Sequence, residues 1–160
     1  MAFLKRAFFV GFGVVFIAAL FLGIFSPSAP RVFLNHRRAV ESIRKLNRAE
    51  YNYSGRHPDA GFARTLSDLG EQGSEPESGL GPVDRVLASG TKSSYHFEIR
   101  CPQGGSQRIT GYTITATPAE PGRTGKYALC TNQNREIWYS ENALAADCLA
   151  MHKPIEQQYR

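Results

Sequence analysis

The sequence predicts an α+β protein in which an N-terminal transmembrane helix precedes an amphipathic helix that packs on a four-stranded antiparallel sheet. Three patterns in the 160 residues indicate this order. Residues 7–25 are an uninterrupted apolar run, apolar side chains recur at helical spacing from residue 40 to residue 53, and apolar and polar side chains alternate from residue 95 to residue 139. The last two regions together are long enough to build one hydrophobic core.

The apolar run of residues 7–25 lies between Lys5-Arg6 and Ser26-Pro27 and holds no charged side chain. As a helix it would be roughly 28 Å long, which is close to the hydrocarbon thickness of a bilayer. We therefore expect a cytoplasmic N-terminus at residues 1–6 and a single membrane span at residues 7–25. A cleaved signal peptide is the alternative, but the run is longer than the apolar part of typical signal peptides.

Helix–helix contacts in this run are expected to involve the candidate assembly residues Phe12, Phe16, Ala19 and Gly23. Ala19 and Gly23 are small residues four positions apart, a spacing that allows two membrane helices to approach closely. Residues 26–34 are predicted to form a linker, because Pro27 and Pro30 interrupt a continuous helix.

The next segment predicts an amphipathic helix with a basic outer face. Apolar side chains recur there at intervals of three and four residues, at Val40, Ile43, Leu46, Ala49 and Tyr53. Residues 31–48 carry six basic side chains and one acid, whereas residues 49–160 carry 11 basic and 13 acidic ones. The net charge of +5 is thus concentrated in a juxtamembrane basic patch, made of Arg37, Arg38, Arg44, Lys45 and Arg48.

This basic patch makes an anionic lipid surface a candidate partner, since each Lys or Arg near such a surface gains about 1 kcal/mol. A solvated helix face without a ligand is the simpler alternative. Nucleic acid is not expected to bind, because its recognition needs positive charge spread over a folded face with stacking aromatic side chains.

Four alternating segments predict the sheet. Their apolar positions are Tyr95, Phe97 and Ile99 in the first, Tyr112, Ile114 and Ala116 in the second, Tyr127 and Leu129 in the third, and Ile137 and Tyr139 in the fourth. The simplest chain path is an antiparallel meander covered by the amphipathic helix. Residues 70–82, rich in Gly, Ser, Glu and Pro, are predicted to be a mobile loop of a globular domain that covers residues 35–145 and leaves residues 146–160 as a C-terminal tail.

Three cysteines, Cys101, Cys130 and Cys148, allow one disulfide and one free thiol. Cys101 closes the first predicted strand, Cys130 ends the third, and Cys148 lies in the tail. These positions leave the pairing open, and Cys101 with Cys148 is one of the alternatives. Three unpaired thiols are a further alternative, because a domain of this size does not need a disulfide.

Three ordered segments carry a family resemblance: AVESIRKLNRAEYNYSGRHPDAGFARTLSDLG at residues 39–70, VDRVLASGTKSSYHFEI at residues 83–99, and YTITATPAEPGRTGKYALCTNQNREIWY at residues 112–139. They contain a helix, a Gly-Phe-x-x-x-Leu-x-x-Leu-Gly loop, an Ala-Ser-Gly turn and a Tyr-x-x-x-Ala-x-Pro strand end. In this combination the chain resembles the globular region of bacterial type IV pilin-like and pseudopilin proteins. The N-terminal prepilin motif is not matched, since the cut-site Gly is missing and no acid precedes Glu41.

The resemblance implies an inner-membrane protein with a periplasmic domain, in which an N-terminal helix lies on an antiparallel sheet. Its expected function is structural, through contacts with other pilin-like or secretion-system proteins in a type IV pilus or a type II secretion-like system. A disulfide between Cys130 and Cys148 is favoured, because pilin-like domains often fix a C-terminal loop in this way. A single-pass periplasmic binding or scaffold module with no filament role is the alternative function.

The charges around the apolar run favour an orientation opposite to the one that the resemblance implies. More Lys and Arg residues follow the run than precede it, and by the positive-inside rule this distribution favours a cytoplasmic domain. We follow the resemblance, because extended domains can be translocated despite basic flanks.

No enzymatic activity is predicted. The four histidines are scattered without metal-ligand spacing, at His36, His57, His96 and His152, and the chain contains no Gly-x-Ser-x-Gly motif. We therefore expect no catalytic residue, metal ligand, cofactor or small-molecule substrate.

Overall fold

The computed structural model describes residues 28–70, 83–102 and 108–155, except for the side chains of residues 28–30. The chain divides into two compact units, Met1–Pro30 and Arg31–Arg160, and nearly all of the described residues belong to the second. No helix in these ranges is long and apolar enough to cross a membrane. The predicted N-terminal transmembrane helix therefore finds no support in the structure; residues 7–25, with Phe12, Phe16, Ala19 and Gly23, lie outside the described ranges.

The longest element is helix α1, Ser28–Arg56. Residues 28–34, which are predicted to be a linker, are therefore helical. Pro30 is compatible with α1 because it lies in the first turn, where the backbone N–H that proline lacks has no partner within the helix. The helix ends just before His57, whose helical conformation is disfavoured by the following Pro58.

One side of α1 is buried along much of its length. Ala39, Ile43 and Leu46 are fully buried, Val40 is nearly so, and Ala49 and Tyr53 pack partly buried against the same core. This is the side that the helical spacing predicts. Burying it against the sheet supplies the main hydrophobic stabilisation of the domain.

The sheet has six strands in the order β1 to β6, and every neighbouring pair is antiparallel. The strands are β1 (Thr91–Lys92), β2 (Tyr95–Arg100), β3 (Thr113–Pro118), β4 (Ala128–Asn132), β5 (Ile137–Ser140) and β6 (Lys153–Pro154). The prediction of a four-stranded sheet is therefore wrong. Strands β2 to β5 overlap the four alternating segments, and β1 and β6 extend the sheet at its two edges.

The two edge strands have two residues each, which is too short for an alternating pattern to be visible. β1 joins β2 through a two-residue turn at Ser93 and Ser94, which have positive φ angles of 51° and 59°. Such turns usually contain Asn or Gly, so Ser-Ser gives no hairpin signal in the sequence. β6 follows His152, a residue with a φ of 50° that also lies in the left-handed region.

The strand register builds one continuous apolar face towards α1. Phe97 lies opposite Ala116, Ala116 opposite Leu129, and Leu129 opposite Tyr139. All four side chains belong to the main core. Two short helices, α2 (Leu66–Gly70) and α3 (Arg85–Ala88), contribute leucines to the same core. The predicted mobile loop falls between these two helices, and residues 71–82 of it lie outside the described ranges.

The opposite face of the sheet is partly covered by helix α4, Ala145–Met151. Cys130 and Trp138, which are paired across β4 and β5, form a small second core with Cys148 of α4. Residues 146–160 are predicted to be a tail. The described part of this segment contains most of α4 and all of β6. The domain has three layers: α1, the sheet and α4.

Candidate functional site

Helix α1 presents a row of exposed side chains on a face that the core does not use. Phe33, Arg37, Arg44, Arg48 and Tyr51 follow one another at intervals of three, four or seven residues, so they lie on one face of the helix. All five are exposed, Phe33 to 54% and Tyr51 to 62%. We call these five residues the arginine stripe. It is about 27 Å long, at 1.5 Å per helical residue.

The fold makes little use of the positive charge of the stripe. A guanidinium nitrogen of Arg44 lies 3.6 Å from a carboxylate oxygen of Glu41. Both side chains are more than half exposed, and such exposed ion pairs contribute little stability. The guanidinium carbon of Arg37 lies 6.0 Å from the centre of the Phe33 ring. Within the described ranges, Arg37 and Arg48 have no ion-pair partner. These charges are available to a ligand.

Arg135 adds a further positive charge at the C-terminal end of the stripe. It lies in the connection between β4 and β5, is exposed, and has a φ of 66°. Its guanidinium carbon is 5.2 Å from the centre of the Tyr51 ring. Since Arg135 is distant from α1 in sequence, only the fold reveals that it belongs to this surface.

The structure divides the predicted basic patch. Arg37, Arg44 and Arg48 belong to the arginine stripe, and Arg38 is exposed on another side of α1. Lys45 is used within the fold, because its Nζ lies 3.6 Å from Oδ2 of Asp84. The five basic residues therefore do not form one surface.

Asp84 connects three elements of the domain. Its Oδ1 accepts a hydrogen bond of 3.1 Å from the backbone N–H of Leu87 and so caps α3, and its Oδ2 accepts one of 2.6 Å from Nζ of Lys92 in β1. Burial alone would raise the pKa of Asp84, but these hydrogen bonds and the charges of Lys92 and Lys45 lower it to about 2. The role of Lys45 is thus structural.

A cluster of buried polar side chains lies on the core side of α1. The Tyr112 hydroxyl donates a 3.0 Å hydrogen bond to Oδ1 of Asn47, and Nδ2 of Asn47 donates one of 3.1 Å to the Thr131 hydroxyl. One side chain of the helix therefore joins the start of β3 to β4. Burial raises the pKa of Tyr112, which keeps its hydroxyl protonated as a donor.

Glu50 lies one turn further along α1 and is fully buried. Its Oε2 accepts a hydrogen bond of 2.9 Å from the backbone N–H of Ala63, and its Oε1 has no hydrogen-bond partner among the described residues. Burial raises the pKa of Glu50 from 4.5 to about 7; the hydrogen bond from Ala63 opposes this rise, and the negative charge of Asp68 adds to it. At neutral pH this carboxyl group is therefore partly protonated.

The thiol of Cys101 lies in the same neighbourhood and donates a 3.3 Å hydrogen bond to the backbone carbonyl of Ala63. Glu50 and Cys101 thus bind the backbone N–H and the backbone carbonyl of the same residue, Ala63, in the loop after α1. Burial raises the pKa of Cys101, and the charge of Glu50 adds to this effect. Because a thiol with a raised pKa is a weak nucleophile, the observed role of Cys101 is its hydrogen bond to this loop.

The sequence patterns do not single out Asn47 and Glu50 as functional residues. A signal for both was nevertheless present: they follow Ile43 by four and seven residues, so they fall on the side of α1 that is predicted to be buried. A polar side chain on such a side needs a partner inside the protein.

The structure pairs Cys130 with Cys148, with their Cα atoms 6.0 Å apart, and leaves Cys101 free. This is the pairing that the pilin-like resemblance implies. It differs from the alternatives, Cys101 with Cys148 and three free thiols. The disulfide links β4 to α4 and fixes the covering layer of the second core.

Among the described residues, no group of three or more His, Cys, Asp or Glu side chains could hold a metal ion. Comparison with known proteins gave no match: no family model, curated protein or solved structure is significantly similar to the chain. The family resemblance therefore depends on the sequence motifs alone.

Proposed function

We propose that this protein is a pilin-like structural or assembly protein, which acts through protein–protein contacts at the bacterial inner membrane in a type IV pilus or a type II secretion-like system. The observation that carries the proposal is the arginine stripe. A long helix presents exposed Arg, Phe and Tyr side chains that the fold does not need, and Arg and aromatic residues are enriched in the cores of protein interfaces.

Two features of the domain support this proposal. A long helix comes first in the described chain and lies on an antiparallel sheet that follows it, which is the arrangement that the resemblance implies. A disulfide fixes the segment after the last long strand, and disulfides persist in oxidising compartments such as the periplasm. We therefore include a periplasmic position of the domain in the proposal.

A scaffold or binding module without a filament role is the second candidate. One observation favours it: no Gly stands at the start of the apolar run and no acid precedes Glu41, whereas the resemblance implies both residues in a filament subunit. Both candidates act by protein contacts and differ in whether the chain contacts copies of itself.

The compartment is tested with two fusions after Arg160, one to alkaline phosphatase and one to a fluorescent protein that matures only in the cytoplasm. The proposal predicts phosphatase activity without fluorescence. Fluorescence without phosphatase activity would contradict it, because a cytoplasmic domain cannot take part in a pilus.

Self-contact is tested by placing a photo-cross-linking amino acid at Phe16 and irradiating living cells. A filament subunit gives a ladder of adducts of the chain with itself, whereas a scaffold gives no such ladder. The matched control carries the cross-linker at Val86, an exposed apolar residue of α3. If position 16 gives no adduct of the chain with itself, or no more than position 86, the filament role is contradicted and the scaffold module is favoured.

A further inference from the structure

We infer that the arginine stripe binds an acidic helix of a partner protein. This inference rests on the proposed function and deepens it, because it names the chemistry that the partner must present. It follows from the shape of the stripe, from its unused charges and from the position of its two aromatic rings.

The shape of the stripe favours a helical partner. Its five side chains form a nearly straight row along the axis of α1, about 27 Å long and one helix face wide. A second helix packed at a shallow angle can contact such a row over its whole length. A loop, or the curved surface of a globular domain, would contact only part of the stripe.

The charges of the stripe favour carboxylates. Arg37 and Arg48 have no ion-pair partner within the described ranges, and Arg44 has only its exposed contact with Glu41. Guanidinium groups bind carboxylates through two parallel hydrogen bonds, a geometry that an ammonium group cannot provide. A partner helix whose Glu or Asp residues have the same spacing as Arg37, Arg44 and Arg48 could pair with all three arginines at once.

The aromatic rings favour a protein over a membrane surface. Phe33 and Tyr51 stand at opposite ends of the stripe, and each has an arginine over its ring, Arg37 and Arg135 respectively. A helix that binds to a bilayer surface instead buries a continuous apolar face at the headgroup boundary. The apolar face of α1 from Ala39 to Tyr53 is already buried in the core of the domain.

The test measures binding of the full-length chain, kept in a zwitterionic detergent, to a labelled helical peptide by fluorescence anisotropy. The peptide carries Glu at the spacing of Arg37, Arg44 and Arg48, and a second peptide carries Gln at the same positions. The stripe variant combines Arg37→Gln, Arg44→Gln and Arg48→Gln. The matched control variant loses the same charge at three other exposed arginines, Arg64→Gln, Arg85→Gln and Arg123→Gln.

We expect the stripe variant to bind the Glu peptide about tenfold or more weakly than the native chain does, since three ion pairs are lost. The control variant should bind the Glu peptide as tightly as the native chain does. The Gln peptide should bind neither the native chain nor the variants. Circular dichroism establishes that both variants are folded. Equal weakening in the two variants would overturn the inference, because net charge alone would then explain the binding.

Two further probes test the other anionic ligands. Tighter binding to micelles that contain phosphatidylglycerol, or to an oligothymidylate, than to the Glu peptide would overturn the inference in favour of a lipid surface or a nucleic acid. Cross-linking from Phe16 reports protein contact whatever the charge of the partner. The inference can therefore fail while the proposed function stands, and the reverse is also true.

Discussion

The backbone N–H of Ala63 donates a 2.9 Å hydrogen bond to the carboxyl group of Glu50, which is fully buried in α1. The carbonyl group of Ala63 accepts the hydrogen bond of Cys101 on the other side. The loop after α1 is thus attached both to the helix and to the end of β2. Because the second oxygen of Glu50 has no hydrogen-bond partner in the described ranges, burial makes the ionised form of this carboxyl group unfavourable, although the hydrogen bond from Ala63 partly offsets that cost.

The stability of the domain is predicted to fall as the pH rises from about 4.5 to about 7. Folded Glu50 keeps its proton up to a pKa of about 7, whereas the unfolded chain loses it at the ordinary value of 4.5. Between these values the folded state binds more protons, so rising pH favours unfolding, by about 2–3 kcal/mol in total. Urea unfolding at several pH values measures this loss.

The control for this prediction is Glu50→Gln, which keeps an acceptor for Ala63 but does not titrate. We expect the free energy of unfolding of this variant to change much less than that of the native chain between pH 4.5 and 7. Parallel pH profiles of the two proteins would show that groups other than Glu50 cause the dependence. Among the described residues, Asp68, Cys101 and Tyr112 interact electrostatically with Glu50.

Removal of the disulfide by Cys130→Ser with Cys148→Ser should cost about 3 kcal/mol, because the covalent link closes a loop with a sequence separation of 18. The control, Cys101→Ser, should have a small effect, since a hydroxyl group can donate to the carbonyl of Ala63 as the thiol does. Denaturant unfolding gives both values. A titration that finds three reactive thiols in the unreduced, denatured chain would contradict the pairing.

Gly125→Ala should destabilise the domain by about 1–3 kcal/mol, because a Cβ at this position would overlap the ring of the fully buried Tyr95. Gly55→Ala is the matched control. Gly55 lies in the last turn of α1 with no neighbouring atom near a new Cβ, so this change should stabilise the domain by about 0.5–1 kcal/mol. Thermal unfolding of both variants measures the difference, and a shift of the same sign in both would contradict the packing of Tyr95 on Gly125.

Asp84→Ala should cost about 1 kcal/mol, because it removes the cap of α3 together with the ion pairs to Lys92 and Lys45. Asp84→Asn keeps the capping oxygen and should cost clearly less. Chemical unfolding of the two variants separates the cap from the charge. If the two variants lose the same stability, the cap contributes nothing and the charge explains the effect.

Long periodic elements were predictable from the sequence. The side of α1 that contains Ile43 and Leu46 follows from apolar spacing, because a helix of this length must bury one side. The start of α1 was not predictable in the same way: Pro30 suggests a break, yet a proline in the first turn costs a helix nothing.

Short and tertiary features were not predictable. Strands β1 and β6 depend on the left-handed conformations of Ser93, Ser94 and His152, which no residue type in the sequence marks. The contribution of Arg135 to the stripe and the loss of Lys45 from the basic patch both depend on contacts between distant segments. Charge counts along a helix cannot separate a cation that is used by the fold from one that is available to a partner.

The most direct test of the central claim, that the arginine stripe is a protein-contact surface, is photo-cross-linking from position 33 in living cells. The control position is Val86, whose exposed fraction of 58% is close to the 54% of Phe33. We predict a defined, ultraviolet-dependent protein adduct at position 33 and none at position 86. The absence of an adduct at position 33, or the same adducts at both positions, would contradict the claim.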